Sequence, residues 1–168
     1  MIQRVQSVYL VVAIVMNVIL LFAPFMIAES PQGAEPAEQL IVEGAKTLYA
    51  ASEEGAAALE MNLERYNYLS LSIALLTSFL LLVVIFMFKQ RLKQVMFCRL
   101  ALLLEAAILA AMLLYDVPAA KDLMENAPDD YTYQYGIVFP IIALLFIFMA
   151  IRAIMADERL VRSADRIR

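Results

Sequence analysis

The chain contains no histidine, no tryptophan and one cysteine, Cys98. Without histidine, the commonest metal ligand and the commonest general base at neutral pH are both missing. A lone cysteine excludes an intrachain disulfide, a redox thiol pair and a cysteine zinc cluster. There is no Gly-rich phosphate loop, and no Ser or Cys nucleophile stands beside a base. No catalytic constellation emerges, so the chain reads as a non-enzyme that needs no metal or other cofactor. Charge is scarce too, at 18% of residues against a usual ~25%.

Apolar residues fill the space. They make up 64% of the 168 residues against ~45–50% in soluble domains, and the mean hydropathy is +0.77. Most of the ten methionines lie within apolar runs, and they read as packing residues.

The apolar residues gather into four runs of spanning length, residues 8–28, 68–88, 95–115 and 136–154. The first two carry no charge, whereas the third carries Arg99 near one end and Glu105 near its middle. A cleaved signal peptide is the rival reading of the first run. That run is longer than a typical signal core, and a cut after Ser30 would leave Pro31 just past the break. Pro24 is expected to bend its last turn.

Between the runs lie a long acidic segment (29–67), a basic turn KQRLKQ (89–94), a second acidic loop (116–135) and a polar tail (155–168). The long segment opens ESPQGAEPAEQ, whose prolines and glycine preclude a continuous helix. Residues 40–49 fit no single pattern, and from Ser52 the pattern looks helical, with Glu53 and Glu54 in the first turn. The segment is too short for an independent core, so a solvated acidic loop is expected. Tyr131, Tyr133 and Tyr135 suit either the membrane interface or a short strand. In the tail, Leu160, Ala164 and Ile167 form one helical stripe. The expected fold is an all-α membrane protein: a single domain, an antiparallel bundle of four transmembrane helices with a short C-terminal cytoplasmic helix.

Charge fixes the expected orientation. Ten of the thirteen bases fall on the side of the termini and the basic turn: Arg4, Lys89, Arg91, Lys93, Arg99, Arg152, Arg159, Arg162, Arg166 and Arg168. Only Asp157, Glu158 and Asp165 oppose them there, while the other side holds thirteen of the seventeen acids. The excess of bases places both termini in the cytoplasm. Arg99 is deep enough to need to snorkel back to the interface.

Counting depth at 1.5 Å per residue puts Asn17, Thr77, Ser78 and Glu105 each roughly 17–20 Å from the cytoplasmic bases. Pro140 frees a backbone carbonyl at a similar level. Gln94, Cys98, Ala101 and Glu105 share one helical stripe. Two readings follow. A neutral Glu105, hydrogen-bonded to Asn17 or to Thr77 and Ser78, sets the register of the helices. Alternatively, Glu105 handles protons or cations in a small transport component, since intramembrane acids are functional candidates by default.

The basic residues Lys89, Arg91, Lys93, Arg99, Arg152, Arg159, Arg162, Arg166 and Arg168 form a surface for anionic lipid or a membrane partner. Asp157 or Glu158 is expected to pair with Arg99 or with the basic turn, tying the last two spans together. Nucleic-acid binding is not implied, because the membrane accounts for the basic tail.

The opening MIQRVQSVYL, the turn FKQRLKQVMFCRL and the ending RAIMADERLVRSADRIR resemble a bacterial family of uncharacterised four-span membrane proteins, the domain of unknown function family 4293. The resemblance implies four spans and a place in the cytoplasmic (inner) membrane. The family has no established activity, so no catalytic residue carries over. The expected role is a non-enzymatic accessory or scaffold subunit, acting through helix packing and its basic tail, with a membrane-protein partner or a second copy of itself.

Overall fold

The structure, a computed structural model, describes residues 2–30, 37–52, 59–88, 90–124 and 131–165. Helix α1 (Ile2–Leu20) stops short of the expected limit at residue 28. A last turn still forms, with the Ala23 N–H reaching the Ile19 carbonyl at 3.0 Å. Pro24 then opens strand β1 (Pro24–Glu29). Proline has no N–H to give a ladder, and the first residue of a strand is one of the few places a sheet accepts it.

Three further strands follow: β2 (Glu38–Glu43), β3 (Lys46–Ser52) and β4 (Leu59–Tyr66). Helix α2 (Tyr68–Phe86) comes next, then α3 (Arg91–Ala111). A π-helical turn (Met112–Asp116) joins α3 to the short α4 (Val117–Lys121) without a break. Strand β5 (Thr132–Tyr133) and a 3₁₀ turn (Tyr135–Ile137) lead into α5 (Val138–Asp165).

The strands form one antiparallel sheet in the order β4-β3-β2-β1-β5. This overturns the expected all-α bundle of four transmembrane helices: the fold is mixed α/β. The physical reason is legible in two segments. The residues of β1 are apolar because the strand is central and buried, with Phe25, Met26 and Ala28 in the core. A short apolar run of that kind reads equally well as the end of a helix. Strand β2 alternates, burying Glu38, Leu40 and Val42 while Gln39, Ile41 and Glu43 stay half-buried. The sheet also does not need a core of its own. Phe25, Met26, Leu40 and Val42 pack on Leu20, Ala74, Ile108, Met112 and Val117 from the helices. The expected helix after Ser52 falls partly on residues 53–58, outside the described residues, and residues 59–66 form β4.

Among the described residues, three helices are long and apolar enough to cross a membrane: Tyr68–Phe86, Arg91–Lys121 and Tyr135–Val161. The described apolar part of α1, Val5–Leu20, is shorter. The long helices touch in the cyclic order α1, α5, α3, α2. Their outer faces are strongly apolar: Phe79 is 66% exposed, Phe86 72% and Leu114 77%. Such faces suit lipid and not water.

Two glycines let the sheet dock on the helix ends. A Cβ on Gly44 would lie 2.6 Å from the Leu20 carbonyl oxygen, and one on Gly136 would lie 2.5 Å from that of Pro24. Both sit where a turn or helix start meets the α1–β1 corner, and only hydrogen fits there.

Candidate functional site

Packing divides the helices into two apolar clusters. One, with Leu20, Ala74, Ile108 and Met112, adjoins the sheet. The other, with Leu10, Ala13, Leu81, Ala101, Ala143 and Ile147, lies toward the basic end. Between them in each helix falls one of the residues singled out by depth counting. Asn17 lies between Ala13 and Leu20, Thr77 between Ala74 and Leu81, and Glu105 between Ala101 and Ile108. Buried Pro140 falls between Phe139 and Ala143 in α5.

Within this layer Asn17 Nδ2 donates to Glu105 Oε2 at 3.0 Å. Both side chains are buried, Glu105 at 0% exposure and Asn17 at 1%. Helices α1 and α3 are not neighbours in the cyclic order, so this bond reaches across the centre. Among the described residues, Asn17 Oδ1 and Glu105 Oε1 have no hydrogen-bond partner. An amide oxygen and a carboxyl oxygen left over on one pair are complementary when the carboxyl carries a proton. Thr77 does not share in the pair: its hydroxyl donates to the Ile73 carbonyl of its own helix at 2.8 Å. Ser78, one residue on, is half-buried.

The basic end is held by side-chain to backbone bonds between helices. Gln94 Nε2 donates to the Val84 carbonyl at 3.1 Å, joining α3 to α2. Gln6 Nε2 donates to the Ala153 carbonyl at 3.3 Å, joining α1 to α5. Arg91 meets Asp157 at 3.1 Å, the expected tie between the basic turn and the last helix. Helix α5 runs unbroken through the span and the described part of the tail, so the tail is not a separate helix. Arg91, Arg99 and Arg159, with Met96, Met155 and Glu158, line a cleft of about 320 Å³ between α3 and α5. Arg152 lies 6.0 Å from the ring centroid of Phe148, and Lys93 is exposed. Lys89, Arg166 and Arg168, and the side chain of Arg162, lie outside the described residues.

The opposite end is a joint that the sequence reading missed. Asn67, between β4 and α2, accepts from the Thr47 hydroxyl at 3.0 Å and donates to the Glu43 carbonyl at 2.8 Å. Ser70 donates toward the Gly44 carbonyl at 3.1 Å. In the sheet, Tyr49 donates to buried Glu38 at 2.6 Å. Burial raises the Glu43 carboxyl above its usual range, with Lys46 opposing, while the hydrogen bond to Glu64 raises Lys46. Asp116 ends the π-helical turn, 2% exposed. The available signal for Asn67 was a cap-type residue placed directly before an uncharged run. In the sequence Asp116 reads only as one acid of an external loop.

Among the described residues, no group of three or more Cys, Asp or Glu side chains is arranged to hold a metal ion. The model of a family described as a domain of unknown function, DUF4293, matches residues 2–167, so the chain belongs to that family. No curated protein matched the chain.

Proposed function

We propose that this member of the DUF4293 family is a non-enzymatic scaffold or accessory subunit of the bacterial cytoplasmic membrane. In this reading α2, α3 and α5 cross the bilayer, the 19-residue α1 makes a fourth crossing, both termini face the cytoplasm, and the sheet lies on the outer side. The charge distribution supports the orientation. Arg91, Arg99, Arg152 and Arg159 gather where α3 begins and α5 ends, while the acid-bearing strands and Asp116 lie at the other end.

The observation that carries the scaffold reading is the use made of buried polar side chains. Asn17, Glu105, Gln6, Gln94 and Asn67 each join one element to another. Such bonds hold helices in register within lipid, where apolar burial alone cannot distinguish one packing from another. Glu105 fits this use better than transport, because its partner is a neutral amide that closes the centre of the helices. The basic end adds contact with anionic lipid headgroups, worth about 1 kcal/mol per base near the surface.

The test is purification of the tagged chain from its native membrane in mild detergent. A stoichiometric membrane-protein partner is the expected result. Recovery of the chain alone, together with proton flux through liposomes that hold only this protein, would overturn the scaffold reading in favour of transport.

A further inference from the structure

A cavity of about 180 Å³ lies where the sheet meets the helices, walled by Arg65, Tyr66, Asn67, Tyr68, Tyr115 and Asp116. Its level follows from helix geometry. Asp116 lies 25 residues beyond Arg91 on a continuous helical path, or about 37 Å at 1.5 Å per residue. The hydrocarbon core is about 30 Å thick. With Arg91 at one interface, the cavity sits among the headgroups of the other.

The wall combines three kinds of group. The first is a buried acid. Asp116 is 2% exposed, and its Oδ2 has no hydrogen-bond partner among the described residues. Leaving a buried carboxylate oxygen unpaired is costly, and a donor from a ligand would relieve that cost. Ser70 and Arg65 are its polar neighbours. The Ser70 hydroxyl also faces the carbonyls of Gly44 and Asn67, so its single proton is contested. The second kind is aromatic. Tyr66, Tyr68 and Tyr115 are each at least half exposed around the acid. The Tyr66 and Tyr68 ring centroids stand 6.0 Å apart. Such rings attract a cation through their faces. The third is a base. Arg65 spends Nη1 on the Ala119 carbonyl at 3.1 Å and keeps further N–H donors for an anion.

An acid ringed by tyrosines with a base alongside matches a ligand that carries both charges a few bonds apart. At this depth the ligand of that chemistry is a lipid headgroup. We infer that the cavity binds the headgroup of an amino-phospholipid, its primary ammonium on Asp116 among the tyrosine rings and its phosphate on Arg65. A primary ammonium is required because it donates hydrogen bonds to the free oxygen of Asp116, which a quaternary one cannot. The inference rests on the membrane reading above but not on the scaffold role.

The test uses the full chain in detergent micelles doped equally with phosphatidylethanolamine and phosphatidylglycerol, with retained lipid counted by native mass spectrometry. Preferential retention of phosphatidylethanolamine is expected. The preference should fall about tenfold in Asp116→Asn, which keeps the shape and removes the charge. It should fall several-fold in Tyr68→Ala, an exposed ring whose loss does not threaten folding. Recovery of each variant in the membrane fraction keeps the membrane reading separate from the lipid site. Equal retention of the two lipids by the wild type would overturn the proposal. So would an unchanged preference in Tyr68→Ala and in whatever Asp116→Asn protein folds. Displacement of the lipid by soluble O-phosphoethanolamine at comparable concentration would assign the site to a free amine and reject the lipid.

Discussion

Asn17 and Glu105 form the contact on which the helices centre, and the two residues should not respond alike to substitution. Glu105→Gln keeps the size and the acceptor and adds donors for the unpartnered Asn17 Oδ1. Its expected effect on thermal stability in detergent is small, within about 1 kcal/mol, as for other polar pairs between membrane helices. Asn17→Leu removes the partner and leaves a carboxyl buried with nothing to bond, at a cost of about 1–3 kcal/mol. Melting both variants in the same detergent checks the order, and a larger loss in Glu105→Gln would contradict the register role. Depth counting set Asn17, Thr77 and Ser78 level with Glu105 because helical rise is fixed, so residues on separate spans can be levelled without knowing their contacts. It could not say that Thr77 would turn its hydroxyl back to Ile73. That choice depends on rotamer and on which neighbour comes near.

The α1–β1 corner is the element whose reading changed most. Four features meet there: the end of α1, Pro24, the Gly44 turn and Gly136 in the 3₁₀ turn that leads into α5. Gly136→Ala places a methyl group 2.5 Å from the Pro24 carbonyl oxygen, with backbone on the other side that cannot swing away. The sheet must move off the helices, at a cost of about 1–3 kcal/mol. Amide exchange should then speed up in β1 and β2 while the α2 amides stay protected. Unchanged exchange in β1 would show that the corner is not closed as described. Strand β1 escaped sequence reading because a central strand buried on both faces loses its alternation. Strand β2 kept its alternation, but the prolines and glycine before it and the acidic composition around it pointed to a solvated loop.

At the scale of the whole molecule, helices with lipid-suited faces carry a sheet at the acidic end and a cluster of arginines at the other. If the arginine end is cytoplasmic, a reporter fused after Arg168 should be active only when it is a cytoplasmic type, and a tag in the 31–36 segment should be reached only from outside. The reverse pattern would invert the orientation. Such an outcome would also move the Asp116 cavity to the inner headgroup layer. The sequence alone determined that long apolar helices are present, though not where the first one ends, the unequal distribution of charge and the family, and it set Asn17, Thr77, Ser78 and Glu105 at one expected depth. These follow from composition, from counting along a helix, and from motifs local in the chain. Only the tertiary structure decided that residues 24–29, 38–43, 46–52, 59–66 and 132–133 build a sheet, and that Asp116, Arg65 and three tyrosines share one cavity. Strand pairing links segments far apart in sequence, and this sheet draws its apolar floor from the ends of α1, α2 and α3. No short window of the chain contains both the strands and the surface that makes them worth folding.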